Sequence, residues 1–101
     1  MNKKAQIKTD GQLSHIAKGL LKHEINEANN NPSGYAEAMG WDETEKYNHL
    51  KGHLSFTQKD VNALVKVMIQ NNMKKMNTLD ILEHPKVNDF LVNCIAGKMK
   101  K

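Results

Sequence analysis

Apolar residues recur along this chain at steps of three and four rather than in alternation, and the steps fall into separate blocks. Leu13, Ile16, Ala17, Leu20, Leu21 and Ile25 line one face of a helix that starts at Asp10 or Gly11 and fades near Asn29. Val61, Leu64, Val65, Met68 and Ile69 repeat the spacing, behind a Thr57–Asp60 capping box. Met73 and Met76 could extend that helix. Asn77-Thr78 restarts the pattern, and Leu79, Ile81 and Leu82 form a short helix that breaks before Pro85. Val87, Phe90, Leu91, Cys94 and Ile95 stripe a last helix from about Pro85 to Ala96. Gly97 is expected to end it, leaving a frayed tail of Lys98, Met99, Lys100 and Lys101. The pattern predicts an all-α bundle of five or six helices with no sheet.

Between the first two blocks lies NPSGYAEAMGWDETEKYNHLKG, residues 31–52. Asn31 is a good N-cap, and Pro32 falls at the first helical position, where a missing N–H costs nothing. Tyr35, Ala36, Ala38 and Met39 give the short helix an apolar side, and Gly40 can end it by taking a positive φ. Trp41 plugs the turn. Asp42 is placed to cap a second helix whose first turn is acidic, through Asp42, Glu43 and Glu45, which suits the positive end of a helix dipole. Leu50 faces inward and Gly52 ends the element.

Helix, Gly-containing turn, helix is the outline of a helix-turn-helix. The stretch YAEAMGWDETEKYNHLKG resembles the two central helices of the lambda-repressor-like helix-turn-helix family, which includes phage repressors, Cro proteins and antitoxins. Tyr35-Ala36 stands where that family has Leu-Ala, and Gly40, Trp41, Leu50 and Gly52 fall at matching places without a gap. The resemblance spans roughly residues 13–69. Two features depart from the family's pattern. Lys46 occupies a place usually given to a small aliphatic residue, and the groove-reading helix opens with three acids.

Charge is unevenly spread. The net charge is +4, carried by 15 lysines and no arginine against 11 acids. Residues 1–30 hold five Lys and three acids, residues 57–101 eight and four, and residues 31–56 only two Lys against four acids. Lysine excess favours phosphate, yet guanine is usually read by arginine. Aromatic residues are only 5%, so the core must be built from Leu, Ile, Val, Met and Ala, with six Met available as gap-fillers. One cysteine, Cys94, cannot form an internal disulfide and reads as a small buried hydrophobe. With no signal-peptide pattern and no run of membrane-spanning length, a cytoplasmic protein is expected.

No catalytic motif is present, and neither cofactor nor metal is expected. His49 and His53 stand four apart, but Gly52 at the helix end separates them, and two nitrogens alone make a poor metal site. The resemblance implies a DNA-facing set instead: Asp42, Glu43, Thr44, Tyr47, Asn48 and Lys51. Thr44 and Asn48 would meet base edges, Glu43 a cytosine amino group, and Tyr47 a phosphate or thymine methyl. Lys51, His53, Ser33 and the amides after Thr57 would hold the phosphate backbone. A rival reading gives the acids an ordinary first-turn role and places Tyr47 in the core in place of Lys46.

The expected organisation is a flexible basic arm over residues 1–9, a helix-turn-helix core over 10–76, and a helical segment over 77–101 that either dimerises or caps its own subunit. The function this implies is a small transcriptional regulator that binds double-stranded DNA as a homodimer. The alternative is a protein-binding module on the same scaffold, such as an anti-repressor or an inhibitor of a defence protein, using its acidic second helix.

Overall fold

The fold was analysed in a computed structural model that describes residues 7–100. Those residues form five α-helices and two 3₁₀ segments, with no strand among them: α1 (Asp10–Asn30), α2 (Pro32–Ala38), a 3₁₀ helix (Thr44–Leu50), α3 (Gln58–Gln70), a short 3₁₀ turn (Met73–Lys75), α4 (Thr78–Leu82) and α5 (Pro85–Met99).

Three long helices make the body. Asp10, at the start of α1, pairs with Lys74 beyond the end of α3 at 2.7 Å. Asn29, near the end of α1, bonds to Leu54 ahead of α3. α1 and α3 are therefore antiparallel. Lys98 near the end of α5 meets Asp60 in the first turn of α3 at 2.9 Å, so α5 also runs against α3.

Two apolar clusters fill this body. The larger joins Leu13, Ala17 and Leu21 of α1 to Val61, Leu64 and Met68 of α3, and to Met73, Ile81, Val87 and Leu91. The smaller lies under α2: Ile25 and Ala28 of α1, Ala36, Tyr47, Leu54, Ile95 and Met99. Phe56 packs against both. Every fully buried side chain among the described residues is apolar or aromatic, in keeping with the large cost of burying an unpaired polar group.

Helix starts follow the local chemistry. Thr9 and Gln12 form a capping box on α1, and Thr57 and Asp60 form one on α3. Asn31 caps α2, and Asn77 caps α4.

Three boundaries differ from expectation. α3 stops at Gln70 rather than running through Met73 and Met76, because Asn72 takes a left-handed φ of 60° and redirects the chain into the 3₁₀ turn. α5 does not end at Gly97 but runs through it to Met99. Three of the residues expected to fray are instead held, Lys101 lying outside the described residues: Met99 is buried in the smaller cluster, Lys98 pairs with Asp60, and the Lys100 ammonium lies 4.6 Å from the Trp41 ring centre. Burying a methionine is worth about 1.5–3 kcal/mol, more than the ~1 kcal/mol that a mid-helix glycine costs.

The third correction concerns the central stretch. Asp42 does not cap an α-helix. Glu43 precedes the element in a left-handed conformation (φ 56°, ψ 44°), no side chain caps it, and residues 44–50 wind as a 3₁₀ helix. The tighter winding brings Tyr47 onto the core side and leaves Lys46 in solvent.

Most of the expected basic arm, residues 1–6, lies outside the described residues. Of its last three, the Lys8 N–H donates to the Lys74 carbonyl, its ammonium donates to the Met76 carbonyl, and Thr9 is the cap of α1. In the 77–101 segment, Leu79, Leu82 and Val92 leave apolar surface exposed.

Candidate functional site

The turn after α2 is closed by its own backbone. Gly40 takes φ 80°, its N–H donates to the Glu37 carbonyl, and the Trp41 N–H reaches back to Ala36 at 3.0 Å. This glycine-capped end fixes where Trp41 leaves the helix. Its ring lies 5.2 Å from that of Tyr47 at a tilt of 38°, a favourable aromatic geometry.

The DNA-facing residues expected from the sequence do not form one free polar surface. Tyr47 is 4% exposed and belongs to the core. Ser33 and Thr44 are half-buried; Asp42, Glu43, Asn48, Lys51, His53 and Thr57 are exposed. The Asn48 amide donates to Glu45 at 3.1 Å, and Lys46 is 3.5 Å from Glu43. Thr57 is engaged with Asp60, accepting from its N–H and donating its own N–H to the carboxylate. His49 Nδ1 is hydrogen-bonded at the Lys46 carbonyl. Among the described residues, no three His, Cys, Asp or Glu side chains converge as metal ligands would. No helix there is long and apolar enough to cross a membrane.

What the fold does build is a groove of about 470 Å³ between α2 and α5. Tyr35, Ala38, Met39 and Trp41 form one wall, and Val92, Asn93 and Ala96 the other. Val92 is 42% exposed, although it belongs to a helix otherwise anchored by buried Val87, Leu91 and Ile95. The Tyr35 hydroxyl donates to Glu24 at 2.7 Å, orienting the ring. Burial first, and then the Glu24 carboxylate, push the Tyr35 hydroxyl well above the usual tyrosine range, so it stays a donor.

Searches of protein-family models, of curated proteins and of solved structures give no match to this chain. The functional reading therefore rests on the groove and its surroundings.

Those surroundings are mixed in charge: the Lys100 ammonium at the end of α5 stands over the Trp41 ring, and the sequence around α2 is rich in carboxylates. Residues 23–45 contain six carboxylates (Glu24, Glu27, Glu37, Asp42, Glu43 and Glu45) and no lysine. This block supplies α2, the turn and the end of α1, so it frames the wall that carries Tyr35 and Trp41. Asp60, in the first turn of α3, is half-buried beside Lys98. Burial raises its pKa, but hydrogen bonds from Lys98 and Thr57 outweigh that and hold it below the ordinary carboxylate range. Burial and then Asp60 push the Cys94 thiol upward, which keeps it protonated and unreactive.

In the sequence Tyr35 and Met39 read as the apolar side of a short helix and Trp41 as the plug of its turn. Nothing there pairs them with Val92 and Ala96, since that pairing depends on how α5 lies. The lysine-free run 23–45 was the available signal.

Proposed function

We propose that this chain is a small protein-binding module, and that the α2–α5 groove receives an amphipathic, basic helix from a protein partner. One observation carries the reading: an apolar groove with Trp41, Tyr35 and Met39 on its wall, a wall that belongs to a stretch of six acids without a lysine, with Lys100 at the end of α5 as the cation placed against it. Tryptophan, tyrosine and methionine are enriched where interfaces concentrate their binding energy. A helix lying in a groove places apolar anchors at three- and four-residue steps, and lysine or arginine on its flanks would meet the carboxylates.

Reading the same stretch as a DNA-binding regulator draws support from the outline of two short elements around Gly40. It has less support from the chemistry of the second element. Asp42, Glu43 and Glu45 are exposed there and would face phosphate, Tyr47 is buried, and Asn48 is bonded to Glu45.

The test uses Trp41, the chain's one tryptophan, as the probe. Titration with a Leu/Lys amphipathic helical peptide should shift its emission and saturate, and Val92→Lys and Ala96→Lys should weaken binding at least tenfold while leaving thermal unfolding unchanged. No shift at micromolar peptide would overturn the groove reading. Binding to a mixed-sequence DNA duplex, lost with Lys51→Glu, would restore the regulator reading in its place.

A further inference from the structure

A second groove, of about 390 Å³, lies where α1 passes the connector into α3, and unlike the first it is lined by cations. Its lining is His15, Lys18, Gly19, Lys22 and Phe56. No carboxylate is among these residues. The two elements that meet here are α1, which brings His15, Lys18 and Lys22, and the connector that carries Phe56. They are distant in sequence, and the fold brings them together by docking Leu54 on Asn29.

The lysines stand ready for a ligand. Among the described residues the ion pairs are Lys46–Glu43, Lys74–Asp10 and Lys98–Asp60, so neither Lys18 nor Lys22 is neutralised. They sit four residues apart, one helical turn, with their ammonium groups on the same side of α1. Gly19 lies between them, and a Cβ built there would touch nothing within 4 Å. A ligand strand can therefore approach the helix backbone closely. Phe56, half-buried, presents a ring in the same groove.

We propose that this groove binds single-stranded nucleic acid, with Lys18 and Lys22 on successive phosphates and a base stacked against Phe56. A positively charged channel with an aromatic platform is the general solution for unpaired strands. A duplex would keep its bases stacked on each other and out of reach of Phe56. An anionic membrane would satisfy the lysines but would not stack a base on the exposed part of the Phe56 ring, which otherwise packs against both apolar clusters. The site shares no lining residue with the α2–α5 groove, so the two readings stand or fall independently.

The experiment is fluorescence anisotropy with a labelled twelve-nucleotide oligo-dT, a duplex of the same length, and phosphatidylserine vesicles. Two phosphate contacts on a single strand give a salt slope of about −1.4, or roughly a sevenfold loss of affinity between 50 and 200 mM salt. The doubly substituted Lys18→Glu, Lys22→Glu chain should lose at least tenfold, and Gly19→Gln, which fills the groove without entering the core, should do likewise. Lys51→Glu should bind as the unsubstituted chain does. Phe56→Leu should lower affinity for oligo-dT; if it unfolds the chain, Gly19→Gln carries the same test. Absence of binding at 50 mM salt, indifference to the double charge reversal, tighter binding to the duplex, or binding to vesicles alone would each overturn the proposal.

Discussion

Asn29 grips the backbone of Leu54 with both ends of its amide: Nδ2 donates to the Leu54 carbonyl at 2.8 Å, and Oδ1 accepts from the Leu54 N–H at 2.7 Å. The Gly52 N–H adds a bond to the Asn29 carbonyl at 3.3 Å. One residue at the end of α1 thus anchors the strand of chain that leads from the 3₁₀ helix to α3.

Asn29→Ala should leave two part-buried backbone groups of Leu54 without partners. At about 1–3 kcal/mol each, offset in part by water, the expected loss is roughly 2–4 kcal/mol. Urea unfolding measures it. A loss under 0.5 kcal/mol would mean that the connector is held by Leu54 and Phe56 packing alone.

Gly34→Ala should destabilise α2 without touching the core. A Cβ there would collide with the Asn31 side chain, whose oxygen caps the helix by accepting from the Gly34 N–H at 3.1 Å. Asn31 can swing away only by giving up the cap, worth about 1 kcal/mol. Asn31→Ala should cost a similar amount, and combining the two should cost little more than either, as a double-mutant cycle would read.

Glu43→Gly should stabilise the chain by roughly 0.5–1 kcal/mol. A left-handed conformation costs a residue with a Cβ about 1–2 kcal/mol, partly offset by glycine's greater freedom when unfolded. The exposed Lys46 contact that would be lost contributes little. A shift in the midpoint of thermal unfolding decides it.

Acid should weaken the α3–α5 contact. Asp60 has a folded-state pKa lowered below its ordinary value, so its contribution is present above about pH 4 and disappears as pH falls through the folded value. Lys98→Ala should reduce stability at pH 7 and flatten the acid limb of the stability profile. A limb unchanged by the substitution would place the acid-sensitive group elsewhere.

At the alkaline end, Tyr35 has a raised folded-state pKa, so its contribution is complete below about pH 10, the unfolded value, and is lost as pH rises beyond it. Tyr35→Phe should remove that dependence and cost about 1 kcal/mol at neutral pH through loss of the bond to Glu24. Equal slopes for the two chains above pH 10 would argue against it.

Much of the helical layout was readable in the residues. The Thr57–Asp60 box, the Asn31-Pro32 start and the turn at Gly40 are local chemistry, set by residues within a few positions of each other, and each takes its expected form. The errors share a cause. Gly97 and the lysines after it look like a helix end until Met99 is seen to fill a cluster built from residues 25–54. Residues 42–50 look like an α-helix until the need to bury Tyr47 beside Trp41 is seen to draw them into a tighter coil. Long-range packing overruled local preference in both places. The grooves were hidden for the same reason, since Trp41 with Val92, and Lys22 with Phe56, meet only once the helices are assembled.

The dependence of the smaller cluster on Ile95 and Met99 also sets an order of events during synthesis. α1 and the α2 turn leave the ribosome first, but the surface of Ala36 and Tyr47 has no lid until the last turn of α5 emerges. At ~5–20 residues per second, that interval lasts roughly 2–10 seconds. During it Tyr47 and its apolar neighbours are open to any passing hydrophobic chain, so this end of a nascent copy is exposed to chaperones and to misassembly.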